Sequence, residues 1–220
     1  MRTVIFDLDG TLADTSGDLI AAANACFRRL GHGDVLNPAA DARTAFRGGR
    51  AMLRLGFERL GAPDAAAVER AYPELLAWYG ENLDATTRLY PGAAAAVEAL
   101  RAGGYRVAVC TNKPEALAER LLVRLGVRDL FGAVIGADTL PVRKPDPAPY
   151  RAAVEGAGGL VGASFLLGDT ETDRATARAA GVPCALVTFG PDGRGVAALE
   201  PEALLDEYAG LGEVARRLIG

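Results

Sequence analysis

Apolar and polar positions follow two rhythms along this chain. In the first, short apolar runs rich in β-branched residues stop at polar turns. Thr3–Leu8 runs into Asp-Leu-Asp-Gly, Tyr105–Cys110 into Thr-Asn-Lys-Pro, and Ser164–Leu167 into Gly-Asp-Thr. Ala133–Gly136 and Pro183–Phe189 are further runs of this kind. Each reads as a buried strand. Helical patterns lie between them: Ala93–Ala102, the stripe Leu117, Leu121, Leu122 and Leu125 before Gly126, Pro147–Gly156, and Thr170–Ala180 before Gly181. Strands alternating with helices predict a parallel sheet covered on both faces, an α/β, Rossmann-like three-layer core.

The second rhythm is helical only. Between Asp14 and Asp84 no convincing strand occurs. One face is formed by Leu19, Ile20, Ala23, Phe27 and Leu30; a less regular one by Met52, Leu55, Phe57 and Leu60; a third by Leu75, Leu76 and Tyr79. The expected organisation is therefore a core of residues 1–14 and 85–220, interrupted by an all-helical cap of residues 15–84.

Composition changes this picture little. The 220 residues are 50% hydrophobic and 24% charged, an ordinary globular balance. A net charge of -4 and a pI near 5.2 give no basic surface for nucleic acid. Cys26, Cys110 and Cys184 are odd in number and widely spaced, so three small buried residues are expected instead of a disulfide framework or zinc site. The opening apolar run is too short for a signal peptide, and no stretch approaches a membrane span. A cytoplasmic protein with no membrane or nucleic-acid partner, monomeric or homodimeric, is the expectation.

Ligands of open α/β sheets bind beyond the carboxyl ends of the strands, so the residues standing there carry the argument. The first strand ends with Asp7 and Asp9. The second ends with Thr111, Asn112 and Lys113, the loop after the third carries Lys144, and the fourth ends with Asp169, with Asp173 one helical turn later. Two acids two residues apart repel unless a cation or proton lies between them. Carboxylates without soft ligands suit a hard divalent cation such as Mg²⁺, and lysine with a hydroxyl suits a phosphoryl group. The chain uses 22 arginines but only two lysines, and both fall in these loops, where a compact point charge fits a small phosphate site. Thr170-x-x-Asp173 also fits an N-terminal capping box, so Asp173 reads equally as structure or site. Thr15-Ser16-Gly17-Asp18 reads as a cap alone. The single histidine, His32, lies in the helical segment, which excludes a histidine nucleophile or dyad on the rim.

With these residues in place the chain resembles the haloacid dehalogenase superfamily of phosphatases. Asp7-Leu8-Asp9-Gly10-Thr11-Leu12 is similar to its first motif, Thr111 after Val107–Cys110 to its second, Lys144-Pro145 to its third, and Gly168-Asp169-Thr170-x-x-Asp173 to its fourth. Thr111-Asn112-Lys113-Pro114, Lys144-Pro145-Asp146-Pro147 and Thr188-Phe189-Gly190 resemble the phosphoglycolate phosphatase branch, from which Phe46-Arg47-Gly48-Gly49-Arg50 departs. The resemblance implies an aspartyl-phosphate mechanism. Asp7 is the nucleophile and Asp9 the general acid and base. Mg²⁺ is held by Asp7, the Asp9 carbonyl and Asp169. Thr111, Asn112, Lys113 and Lys144 face the phosphoryl group, Asp173 supports the metal site or Lys144 from behind, and Arg47 and Arg50 recognise a substrate carboxylate. It implies a small phosphomonoester substrate, 2-phosphoglycolate above sugar phosphates and nucleotides. A phosphomutase and a non-catalytic phosphate-binding protein remain the alternatives. Asp9 argues against a dehalogenase, and the absence of lysine between Asp14 and Asp84 argues against a Schiff-base phosphonate hydrolase.

Overall fold

The computed structural model describes residues 1–220. The chain divides into two compact units, Met1–Asp14 with Leu89–Gly220, and Thr15–Arg88. The larger unit is built on a parallel sheet in the order β5-β4-β1-β6-β7-β8. Its strands are β1 (Thr3–Phe6), β4 (Arg106–Cys110), β5 (Val134–Ile135), β6 (Ser164–Gly168), β7 (Cys184–Val187) and β8 (Ala203–Leu205); β2 (Ala13–Asp14) and β3 (Arg88–Leu89) are two-residue strands where the chain leaves the core and returns. The helices are α5 (Ala93–Ala102), α6 (Glu115–Arg124), α7 (Pro147–Gly156), α8 (Glu171–Ala180) and α9 (Leu211–Ile219).

Both faces of the sheet are covered. Ile5, Ala108, Cys110 and Leu166 share a buried cluster with Tyr150, Ala153 and Val154 of α7 and Ala177 of α8. The alternate positions Val4, Phe6, Val107 and Val109 are equally buried on the other side, where α5 and α9 pack. This explains why the strands read as continuous apolar runs. The pattern as read ends at Phe189, and the structure adds β8 and α9 beyond it. A three-residue strand is too short to show a period. All three cysteines are free and buried, and no helix is long and apolar enough to cross a membrane.

The smaller unit holds α1 (Ser16–Arg29), α2 (Ala42–Ala45), α3 (Gly49–Arg59) and α4 (Ala65–Glu81). The irregular stripe expected on α3 resolves differently: Met52, Leu53, Gly56 and Phe57 are its buried residues, and Leu55 and Leu60 are only half-buried. The cause is a close approach, because a Cβ on Gly56 would lie 2.1 Å from the Phe27 ring. Phe27 also meets Phe57 edge-on at 5.3 Å. Leu30, expected in the α1 stripe, follows the helix end and is exposed.

The helical unit runs to Arg88, four residues past the expected boundary at Asp84. Asp18 gives the reason. Its buried carboxylate accepts from the backbone N–H of Thr86 (3.0 Å) and Thr87 (2.8 Å) and from both their hydroxyls (2.8 Å each), which ties residues 86 and 87 to α1. The expected cap at Thr15-x-x-Asp18 is accordingly not formed. Thr15 precedes α1 in a conformation that offers no side-chain cap, and its Oγ1 is buried without a partner.

Candidate active site

Strand register assembles the site. Phe6 of β1 lies opposite Val109 of β4 and Leu167 of β6. Asp7 therefore leaves the sheet level with Cys110 and Gly168, and Thr111 and Asp169 follow one residue later on either side. The Asp7 N–H still donates to the Leu167 carbonyl (2.9 Å), so the position of Asp7 is fixed by the ladder itself. Strand order reverses direction at β1, which opens the crevice there. Two glycines let the loops close up. At Gly10 φ is +84° and a Cβ would lie 2.3 Å from Asp169 Oδ2, and a Cβ on Gly168 would lie 2.3 Å from the Asp173 carboxyl carbon.

The rim gathers four carboxylates and two ammonium groups. Asp7, Asp169 and Asp173 each present an oxygen within 4.8 Å of the others. Lys144 Nζ donates to Asp173 Oδ1 at 2.7 Å and lies 3.0 Å from Asp7 Oδ1. The second approach is off-line for a hydrogen bond, so Asp7 Oδ1 is buried without a donor. Lys113 Nζ donates to both oxygens of Asp9, at 2.7 and 2.9 Å. The ammonium groups of both lysines are almost wholly buried, at 2% side-chain exposure each.

The three clustered acids are not equivalent. Asp173 is saturated. Its Oδ2 accepts from Thr170 Oγ1 (2.7 Å), Thr170 N–H (3.1 Å) and Asp169 N–H (3.2 Å), and its Oδ1 takes Lys144. Burial alone would raise its pKa, but Lys144 and the Thr170 bonds outweigh burial and hold it below the ordinary carboxylate range. Asp173 caps α8 and also bonds the Lys144 ammonium. Asp169 is the reverse case. Burial raises its pKa well above the usual value, Asp173 and Asp7 push the same way, and its side-chain donor is the Thr11 hydroxyl at 3.0 Å. For Asp7, burial pushes the pKa up to about 6 against the pull of Lys144. Burial disfavours the charge of Lys144, yet Asp173 and Asp7 prevail and raise its pKa.

Four carboxylates against two ammonium groups leave two negative charges in a buried place. Asp7 Oδ1 lacks a donor, and Asp7 and Asp169 both hold protons more tightly than ordinary carboxylates. An all-oxygen set with this deficit fits a divalent cation. Asp7 and Asp169 have oxygens to offer; Asp173 does not.

Other expected residues fall as follows. Thr111 is buried, and its Oγ1 accepts from the Lys113 N–H at 3.2 Å. The Asn112 side chain donates to the Lys144 carbonyl at 3.1 Å, tying the two loops together. Arg50 and Arg47 belong to the helical unit. Arg50 makes a two-pronged bond to Glu69 (2.7 and 2.9 Å) and lies 3.6 Å over the Tyr72 ring, so its guanidinium is already occupied. Arg47 is exposed with no such partner. His32 is also exposed.

Sequence reading missed two supports. Thr11 holds Asp169, and the buried Tyr208 hydroxyl donates to the Thr11 carbonyl at 2.7 Å from 197 residues away. Thr11 lies inside a motif already singled out. Tyr208 carries no local signal, and only the fold brings it there.

A sequence model described as haloacid dehalogenase-like hydrolase matches residues 1–181. A phosphoglycolate phosphatase of Rhodospirillum rubrum is 40% identical over 219 residues, covering 96% of this chain and 90% of that protein. One of Cereibacter sphaeroides is 38% identical with complete coverage of both. Among solved structures, one described as a predicted phosphoglycolate phosphatase from Haemophilus somnus 129pt superposes with a TM-score of 0.85 at 26% identity, covering 97% of each chain. A match that takes in the Asp7, Thr111, Lys144 and Asp169 loops together, with relatives alike from end to end, leaves one assignment: the chain belongs to the haloacid dehalogenase-like hydrolase family.

Proposed function

We propose that this chain is a Mg²⁺-dependent phosphomonoester hydrolase that works through an aspartyl-phosphate, with 2-phosphoglycolate as its substrate. The observation that carries the reading is Asp7: a carboxylate fixed at the end of β1, one oxygen buried without a donor, 3.0 Å from the Lys144 ammonium. A carboxylate held there can attack phosphorus through one oxygen and leave the other for the cation. The substrate follows from the relatives of 36–40% identity, each called a phosphoglycolate phosphatase.

In the first step an Asp7 oxygen bonds to phosphorus as the bond to the alkoxide leaving group breaks, and Asp9 gives the alkoxide a proton. In the second, Asp9 takes a proton from the water that attacks phosphorus, the bond to Asp7 breaks, and phosphate leaves. The Thr111 hydroxyl and the Asn112 N–H bind phosphoryl oxygens, and Lys144 offsets their charge and that of Asp7. Asp173 and Asn112 keep the Lys144 loop in place. Asp7, Asp169 and the Asp9 carbonyl would hold the Mg²⁺, which when bound supplies positive charge against the repulsion between carboxylate and phosphate. Arg47, exposed in the helical unit, is the cation that binds the glycolate carboxylate.

Free-phosphate release from a panel of phosphomonoesters, with Mg²⁺ and with chelator, tests this. Magnesium-dependent release concentrated on 2-phosphoglycolate is expected. Release spread evenly over many esters removes the substrate assignment, and no release from any ester removes the hydrolase.

A further inference from the structure

Lys113 is the second of the two lysines, and the mechanism above gives it no step. Its ammonium donates to both oxygens of Asp9, at 2.7 and 2.9 Å, from a side chain that is itself buried. Lys113 is gripped at both ends of its own residue: its N–H donates to Thr111 Oγ1 (3.2 Å) and its carbonyl accepts from Ala137 N–H (3.0 Å). The next loop crowds in behind, where a Cβ on Gly136 would lie 2.4 Å from the Glu115 nitrogen. Lys113 is therefore a rigid post. Asp9, by contrast, sits on the loop after β1 and is partly exposed, with no helix or strand to fix its side chain.

Resting on the proposed reaction, we infer that Lys113 is a positioning residue for Asp9: it holds the acid–base carboxylate in one orientation at the rim and does not itself bind the phosphoryl group. A short ammonium reaching both oxygens from behind Thr111 suits this role. A guanidinium, with its larger planar fork, would present its donors to Asp9 less compactly, in keeping with a lysine in a chain otherwise built with arginine. The two lysines thus divide the rim. Lys144 serves the Asp7 and Asp173 side, and Lys113 serves Asp9.

The test separates the half-reactions. Lys113→Met should slow turnover of an alkyl phosphate such as 2-phosphoglycolate at least tenfold, within the ~10²–10⁴-fold contribution of a general acid–base group, with KM changed less than about twofold. With p-nitrophenyl phosphate, whose leaving group departs without a proton, rapid-quench formation of the phosphoenzyme should be nearly unaffected, while its hydrolysis slows. A purely structural role would move both esters together. In an Asp9→Asn background, Lys113→Met should cost nothing further. Lys113→Arg, which keeps the charge and is the more conservative fold, should show the same dependence on leaving group in weaker form. Full additivity with Asp9→Asn, or equal slowing of phosphoenzyme formation from both esters with weakened inhibition by inorganic phosphate, overturns the inference and makes Lys113 a phosphate-binding cation. Those outcomes leave the reaction intact. Wild-type turnover by Asp9→Asn would instead overturn the reaction as proposed, and the Lys113 assignment with it.

Discussion

The helical unit and the core rim treat buried charge in opposite ways. In the helical unit each buried acid is satisfied. Asp18 takes four donors from Thr86 and Thr87, and Asp41 takes both prongs of Arg59 at 2.6 and 2.7 Å and is held below the ordinary carboxylate range by it. On the rim, Asp7 and Asp169 stand side by side, with one Asp7 oxygen lacking any donor and both pKa values raised by burial. A satisfied acid holds a fold together. An unsatisfied one costs stability, and persists where something absent from the chain completes it.

The comparison breaks most visibly at Asp7. Asp7→Asn should lower turnover by ~10⁴-fold or more, since an amide does not attack phosphorus. In the same variant, stability should rise when divalent cation is withheld. The native Asp7 carboxyl, with a pKa of about 6, binds its proton more tightly than the unfolded chain does at the ordinary 3.8. Ionised at pH 7 it therefore costs the metal-free wild type about 3 kcal/mol. Thermal melts in chelator should show Asp7→Asn above wild type at pH 7, with the gap closing as pH falls through 6 towards 4. Asp169 shifts in the same direction, in part because of Asp7, and Asp173 in the opposite one; the variant removes that push on Asp169 together with the Asp7 charge, so the gap keeps its sign. Added Mg²⁺ should narrow or reverse the gap at pH 7. A gap that does not depend on pH would refute the electrostatic account of Asp7.

Asp18 tests the other half of the comparison. Asp18→Ala strips four hydrogen bonds from one acceptor and should cost about 3 kcal/mol of stability by urea denaturation. The rim chemistry of the folded fraction should survive, seen as unaltered phosphoenzyme formation below the melt. Loss of that step in folded protein would put Asp18 among the functional acids. The smallest effect is expected at Arg47. Arg47→Ala should raise KM about tenfold for a carboxylated phosphomonoester and leave a neutral one nearly unchanged; equal effects on the two esters would remove Arg47 from substrate recognition.

These contrasts were only partly legible in the sequence. Strand ends could be read because β1, β4 and β6 are apolar runs cut off by polar residues, and in a parallel sheet those ends must converge. The distinction between Asp169 and Asp173 could not. Both are acids of one motif, and only the Thr170 and Lys144 bonds show that Asp173 is saturated. Thr15-x-x-Asp18 and Thr170-x-x-Asp173 have the same spacing, yet one acid ties down Thr86 and Thr87 and the other closes a cap, because partners distant in sequence decide between them. The burial of a glycine, Gly56, on the inner face of α3 follows from the close approach of the Phe27 ring, which an apolar stripe does not announce. Tyr208 reaches Thr11 from the far end of the chain for the same reason.

The central claim is that Asp7 carries the phosphoryl group. It is tested by quenching the enzyme in acid within the first turnover of 2-phosphoglycolate and Mg²⁺ and mapping phosphorylated peptides by mass spectrometry. The account predicts one phosphoryl group on the peptide Thr3–Leu12, assigned to Asp7, absent from Asp7→Asn and longer-lived in Asp9→Asn. Phosphate released at the wild-type rate with no acyl phosphate on Asp7 at any quench time, or a phosphoryl group on another residue, would contradict it.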